Sequence, residues 1–218
     1  MPNYYFEIDE KNFKKRSEYW EDIHLKNLIH IMIQKENRIK FSDIVIDLFN
    51  LNTLEDINFY YNNYTIYYDD IDLKILNKII FYFKSWISKN VNINNLKGAY
   101  VELLYFKLVS IKYDNKNIER ECYICSKNFR SIKTIDVVIS CNPIKFIASE
   151  CKFSDKAFTQ RDFNNLVNIK NNFKNSTVNL IINNDSKQAH LNIKNRFRKI
   201  KNINKKLLKI NIINLKDF

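Results

Sequence analysis

The residues best able to do chemistry lie between positions 132 and 153, in the segment IKTIDVVISCNPIKFIASECKF. Two apolar runs there each carry an acid: Asp136 in the first, and Glu150, followed by Cys151 and Lys152, near the end of the second. A carboxylate among residues that should fill a core is costly unless something neutralises it. A bound cation is the natural neutraliser, and an ammonium group two residues from a cation-binding carboxylate suits the activation of water. The triplet acid-x-Lys says little by itself, because it also begins at Asp9, Asp72, Asp114 and Asp185. Those four stand in polar stretches or near helix starts, whereas Glu150 follows Ile144, Phe146, Ile147 and Ala148.

Strand periodicity puts Glu150 and Lys152 on one face and Cys151 on the other. A turn at Cys141-Asn142-Pro143 folds the two runs into a hairpin and brings Asp136 toward Glu150. A third acid, Glu102, lies in KGAYVELLYFKLVSIK, where Ala99, Phe106 and Val109 share its helical face. No lysine stands three or four residues away, so the ordinary helical ion pair is not open to it. Either a cation or a helix tilted toward solvent must satisfy it.

Asp136 and Glu150, with Glu102 and the Cys151 carbonyl as further ligands, make a hard oxygen set suited to Mg²⁺, and Mn²⁺ is expected to substitute. Such an ion polarises a phosphoryl oxygen and acidifies a water for in-line attack. Lys152 would hold or deprotonate that water and offset charge on phosphorus. The plainer alternative makes Glu150 and Lys152 the end of a solvated edge strand, with Asp136 paired to a nearby lysine.

The elements that position these residues are legible mainly in the second half. A helix is predicted over 95–113, strands over 118–126, 132–140 and 144–153, and a helix over 159–174 with Thr159 as N-cap and Asp162 three residues on. A strand over 177–183, a basic helix over 186–202 capped by Ser186 and a last strand over 207–215 complete an α/β fold with a mixed central sheet. Residues 1–94 form a mainly helical N-terminal region for recognition, dimerisation or regulation, and 95–218 a catalytic domain. Within the first region an amphipathic helix is expected over 14–35, with later helices capped by Ser42 and by Thr53 with Asp56, and another over 72–89. The run YYNNYTIYY, 60–68, reads as a hairpin or a tyrosine-rich loop.

Charge placement points to a polyanionic partner. Of the net +12, residues 1–95 contribute −2 and residues 96–218 contribute +14. From 187 to 209 there are nine Lys or Arg and no acid. Lys187, Lys194, Arg196, Arg198, Lys199 and Lys201 either track a phosphate backbone or form a solvated face. With one glycine in the chain no phosphate-cradling loop is available. The CxxC at Cys122 and Cys125, with Cys141 and Cys151, would need four converging sulfurs to hold zinc, and strand parity sends the first two to opposite faces. No apolar run approaches 18 residues and no secretory leader is evident, so no membrane span and a cytoplasmic, reducing location are expected.

Ile135-Asp136, thirteen intervening residues, then Glu150-Cys151-Lys152, with Glu102 on the preceding helix, resembles the motif of the PD-(D/E)xK nuclease superfamily. The resemblance covers about residues 95–215 and departs from the pattern at Ile135, where the name expects proline. It implies a restriction-endonuclease-like αβββαβ core. It also implies metal ligands at Asp136 and Glu150, an accessory ligand at Glu102 and a catalytic lysine at Lys152. Gln160 stands near where some exonuclease-like members carry a glutamine, without the tyrosine that follows it there. The function expected is a Mg²⁺-dependent endonuclease hydrolysing DNA phosphodiester bonds in restriction, defence or mobile-element processing, as a homodimer, with DNA favoured over RNA. The alternatives are an RNase or structure-specific nuclease using the same site, an effector nuclease switched on by a ligand, and an inert nucleic-acid-binding protein.

Overall fold

The computed structural model describes residues 4–218, apart from the side chain of Ile66. The chain divides into two units, one made of residues 1–17 and 101–218 and the other of 18–100. The sequence reading placed one boundary, at 94/95. The difference arises because the strand β1 (Tyr5–Ile8) pairs antiparallel with a strand from the second half, with Tyr5 opposite Cys125 and Ile8 opposite Cys122. YFEI, four residues long, is too short to announce itself as a strand.

The boundaries fall inside α1 (Glu10–Trp20) and inside α6 (Ile93–Lys112). Between them run α2 (Ile23–Met32), α3 (Lys35–Asn50), α4 (Leu54–Tyr64) and α5 (Asp70–Ser88). Leu25, Leu28, Phe41, Val45, Leu48, Phe49, Leu76, Phe83 and Trp86 fill the core of the unit 18–100. The single helix expected over 14–35 is broken in two by Asp22, whose carboxylate accepts from the Leu25 amide at 2.8 Å and from Trp86 Nε1 at 3.0 Å. Ser42 is no cap. It lies inside α3 and turns its hydroxyl back onto the Arg38 carbonyl. Thr53 does cap α4, accepting from the Asp56 amide. The tyrosine-rich run is helical, continuing α4 into a 3-10 turn over Thr65–Tyr67, and Tyr60 stacks on Tyr64 one turn later.

After α6 the chain forms β2 (Ile118–Ser126), β3 (Phe129–Arg130), β4 (Ile135–Asn142) and β5 (Lys145–Cys151). Then come α7 (Gln160–Asn172), β6 (Thr177–Ile182), α8 (Ser186–Arg196), α9 (Ile203–Leu207) and β7 (Asn211–Asn214). The described residues give a seven-stranded mixed sheet in the order β1-β2-β4-β5-β6-β7, with β3 paired to β2. Pairs are antiparallel as far as β5, and β5-β6 and β6-β7 are parallel, joined through α7 and α8. Ala148, Val178, Leu180 and Ile182 pack on Phe163, Leu166, Ile169, Ala189 and Ile193 of α7 and α8. Ser149, of opposite parity, bonds Tyr105 of α6 at 2.8 Å, which places α6 over the other face.

Two expected boundaries move. Asp185, not Ser186, caps α8, accepting from the Gln188 amide at 2.6 Å. The basic helix ends at Arg196, and residues 203–207 form α9, so the last strand holds only four residues. Thr159 caps α7 with Asp162 in the expected reciprocal arrangement. Among the described residues no helix is long and apolar enough to cross a membrane.

Candidate metal and catalytic centre

The β4-β5 register sets Val137 opposite Ser149, so Asp136 and Glu150 face one another on neighbouring strands. Neither reaches solvent, with relative exposures of 3% and 0%. Asp136 Oδ2 accepts from the Cys151 amide at 2.6 Å and lies 3.8 Å from Lys152 Nζ. Lys152 Nζ bonds Glu150 Oε1 at 2.5 Å. Glu102 is also buried, at 2%, which removes the tilted, solvated alternative for it, and burial of Glu150 removes the solvated edge strand.

Four further residues complete the constellation, and none was nominated from the sequence. Lys133 Nζ bonds the same Glu150 oxygen at 2.6 Å and Asp162 Oδ1 at 2.5 Å. Asp162 thus serves both as the capping partner of Thr159 and as a wall of the site. Glu121, on β2, sits where the ladder to β4 skips a pair between Arg120–Val137 and Cys122–Ile135. Its backbone is left-handed, φ 48°, a conformation that costs a non-glycine residue about 1–3 kcal/mol. The bend brings its carboxylate beside Asp136 and Glu102, and one oxygen of each of the three lies within 4.8 Å of the others. Arg16, on α1, bonds Glu102 Oε1 and stands 3.1 Å from Glu121 Oε1 and 4.0 Å from Asp136 Oδ1.

Glu121 stands in the charged run Glu119-Arg120-Glu121, which singles out no one acid. Arg16 and Lys133 sit in lysine- and arginine-rich stretches that mark out no single position.

Five acids and three bases form this network, an excess of two negative charges when all are ionised, which matches one divalent ion. Both Glu102 and Glu150 keep one buried oxygen, Oε2, without a hydrogen-bond partner. The electrostatics carry the same excess. Burial would raise Asp136, but Lys152, Arg16, Lys133 and the Cys151 amide hold it below the usual carboxylate range. Burial and Asp136 push Glu150 up, and they push Glu121 to about 8. Lys152 and Lys133 are raised against their own burial, Lys152 by Glu150, Asp136 and Asp162, so both are ammonium ions. The Cys151 thiol is pushed far up by burial and is no nucleophile.

Glu121 yields a pH prediction for the protein in chelator. Folded Glu121 keeps its proton to about pH 8, whereas the unfolded chain releases it near 4.5. Its contribution to stability is therefore full below the unfolded value and is lost as pH rises through 8. Thermal unfolding between pH 5 and 9 should show wild type losing ground to Glu121→Gln over that window. Parallel curves would mean that Glu121 is ionised throughout.

The expected backbone-contacting cations divide. Lys187, Arg198, Lys199 and Lys201 are exposed and Lys194 is half-buried. Arg196, also exposed, donates from its guanidinium to the carbonyls of Asp155 (2.6 Å), Phe158 (2.8 Å) and Lys156 (3.2 Å), clamping the loop after Lys152, and lines the cleft beside Arg198. Arg198 and Lys199 join Gln160, Asn164 and Asn195 around an open cleft of about 580 Å³. Gln160 precedes Asp162 by two residues, so the cleft adjoins the acid network through the first turn of α7. No family model and no curated protein sequence matches the chain.

Proposed function

We propose that this chain is a Mg²⁺-dependent nuclease of the PD-(D/E)xK type that cuts DNA phosphodiester bonds. The observation that carries the reading is the facing pair Asp136 and Glu150 with the Lys152 ammonium against both, and Glu102 converging on Asp136 from α6. The order from α6 to β6, a helix, the three long strands β2, β4 and β5 with the two-residue β3 between the first two, a helix and a strand, supports a restriction-endonuclease-like core. Carboxylate oxygens, some unpartnered and buried, are the donor type that Mg²⁺ or Mn²⁺ takes, and Asp136, Glu102 and Glu121 would hold the ion, with Glu150 beyond them. The ion would supply Lewis-acid polarisation of the phosphoryl oxygen and an acidified water.

The chain's own groups do the rest. Lys152 is cationic, so it orients the attacking water and offsets charge on the phosphoryl oxygens. Lys133 offsets part of the burial that pushes Glu150 up. The cleft at Gln160, Arg198 and Lys199 accepts flanking phosphates, which lie at intervals of a few Å along a strand. Four unpaired cysteines are in keeping with a reducing cytoplasm. Cutting both strands would use two copies of the chain.

The test is cleavage of plasmid, linear duplex, single-stranded DNA and RNA in Mg²⁺, Mn²⁺ or EDTA, with Asp136→Ala as control. Metal-dependent scission lost in the variant is expected, strongest on DNA. A preference for RNA would reassign the substrate, and binding without scission in every metal would sink the nuclease reading.

A further inference from the structure

Arg16 stands in an unusual place for a structural arginine. The pairing of β1 with β2, extended by the bond from the Asp9 amide to the Glu121 carbonyl at 3.0 Å, fixes the start of α1 beside Glu121. Less than two turns later Arg16 reaches back into the site. An arginine held for stability typically grips one carboxylate with two parallel bonds. Arg16 instead spreads over three acids, bonding one oxygen of Glu102, approaching Glu121 at 3.1 Å without an aligned hydrogen bond, and standing 4.0 Å from Asp136. Its side chain keeps 37% of its surface exposed, while Glu102 and Asp136 keep 2%. The Arg16 side chain therefore lies between the buried acids and solvent, at what serves as the mouth of the site.

These are the three carboxylates whose oxygens lie within 4.8 Å of one another. Around one Mg²⁺ neighbouring oxygens lie about 3 Å apart and opposite ones about 4.2 Å, so the triad has to draw inward to close on an ion. The guanidinium, bonded to Glu102 and set against Glu121, stands against the same three carboxylates. It neutralises the same charge and never loses its own proton.

Resting on the metal-site reading above, we propose that Arg16 is a tethered cation occupying the divalent-ion position, and that ion binding requires it to withdraw. Apparent ion affinity is then lowered by the fraction of time Arg16 is out. The withdrawn guanidinium stays at the mouth, where it suits an incoming phosphate. Metal entry and exposure of an anion-binding arginine become one event.

Mn²⁺ binding by titration calorimetry should show Arg16→Gln taking up the ion about tenfold or more tightly than wild type. Arg16→Lys, with one compact charge, should fall between. Asp136→Ala combined with Arg16→Gln should abolish the binding and so locate the ion. Equal or weaker Mn²⁺ binding by Arg16→Gln, with wild type still binding, would overturn the Arg16 proposal and leave the metal site standing. Binding by none of the proteins would overturn both. In case Arg16→Gln does not fold, wild type offers a second readout: modification of Arg16 by phenylglyoxal, followed by mass spectrometry, should quicken several-fold when Mn²⁺ is added. An unchanged rate would count against the exchange.

Discussion

Lys152→Ala is expected to slow DNA hydrolysis by about 10²–10⁴-fold, the range associated with loss of a positioned proton-transfer or charge-stabilising group. The ammonium is 2.5 Å from Glu150 and 3.8 Å from Asp136, with a side chain only 15% exposed, so no solvent cation replaces it with comparable geometry. Lys152→Ala also leaves Glu150 with Lys133 alone and takes a cation from Asp136, so the loss of rate has to be told apart from a loss of folded protein. Single-turnover cleavage of a labelled duplex at saturating Mg²⁺ separates the two. Lys152→Arg retains the charge and should recover part of the rate, and a Lys152→Ala enzyme within a few-fold of wild type would remove Lys152 from the chemistry.

The second large effect concerns stability. Lys133→Met should destabilise the fold by about 3 kcal/mol, the low end of the range for breaking a buried pair, since 23% of the Lys133 side chain stays wet. Asp162 suffers less, because its other oxygen is held by the Thr159 amide and hydroxyl at 2.8 Å each. Glu150, wholly buried, is left with Lys152 alone. Urea unfolding measures the loss, and a midpoint within a few tenths of wild type at unchanged slope would show that the pair contributes little. Lys133 also lowers the Glu150 pKa, so its removal pushes that group further up. The pH at which the variant begins to bind Mn²⁺ should accordingly rise.

What the sequence disclosed and what it hid have physical causes. Asp136, Glu150 and Lys152 were legible because strand parity and one turn suffice to bring them together, and those are local properties. Glu102 was legible because an acid on an apolar helical stripe without a helical partner is conspicuous. Glu121 was obscured because its left-handed backbone breaks the alternation on which parity reasoning depends. Arg16 and Glu102 are 86 positions apart, and their meeting depends on β1 joining the sheet, which no local pattern announces. For Arg196, charge counts do not reveal that three of its donors are spent on backbone carbonyls of the loop after Lys152. The 3.6-residue period carried through Ser42 and through the tyrosine run, so hydroxyl and aromatic content misled there where periodicity would not have.

The interrupted unit has a consequence for the order in which the protein is made. A chain leaving the ribosome releases β1 first, yet the residues that β1 pairs with are translated more than a hundred positions later. The intervening stretch 18–100 can meanwhile gather its own aromatic core around Phe49, Phe83 and Trp86. The sheet cannot start until its first strand has waited through that whole interval, a topology that folds slowly because its contacts are remote. The acids of the site come together only once the chain has been made as far as Asp162. A nascent chain that ends before Asp136 therefore holds β1 and Arg16 but neither Asp136 nor Glu150, so the constellation is missing as a whole until its last acid has been added.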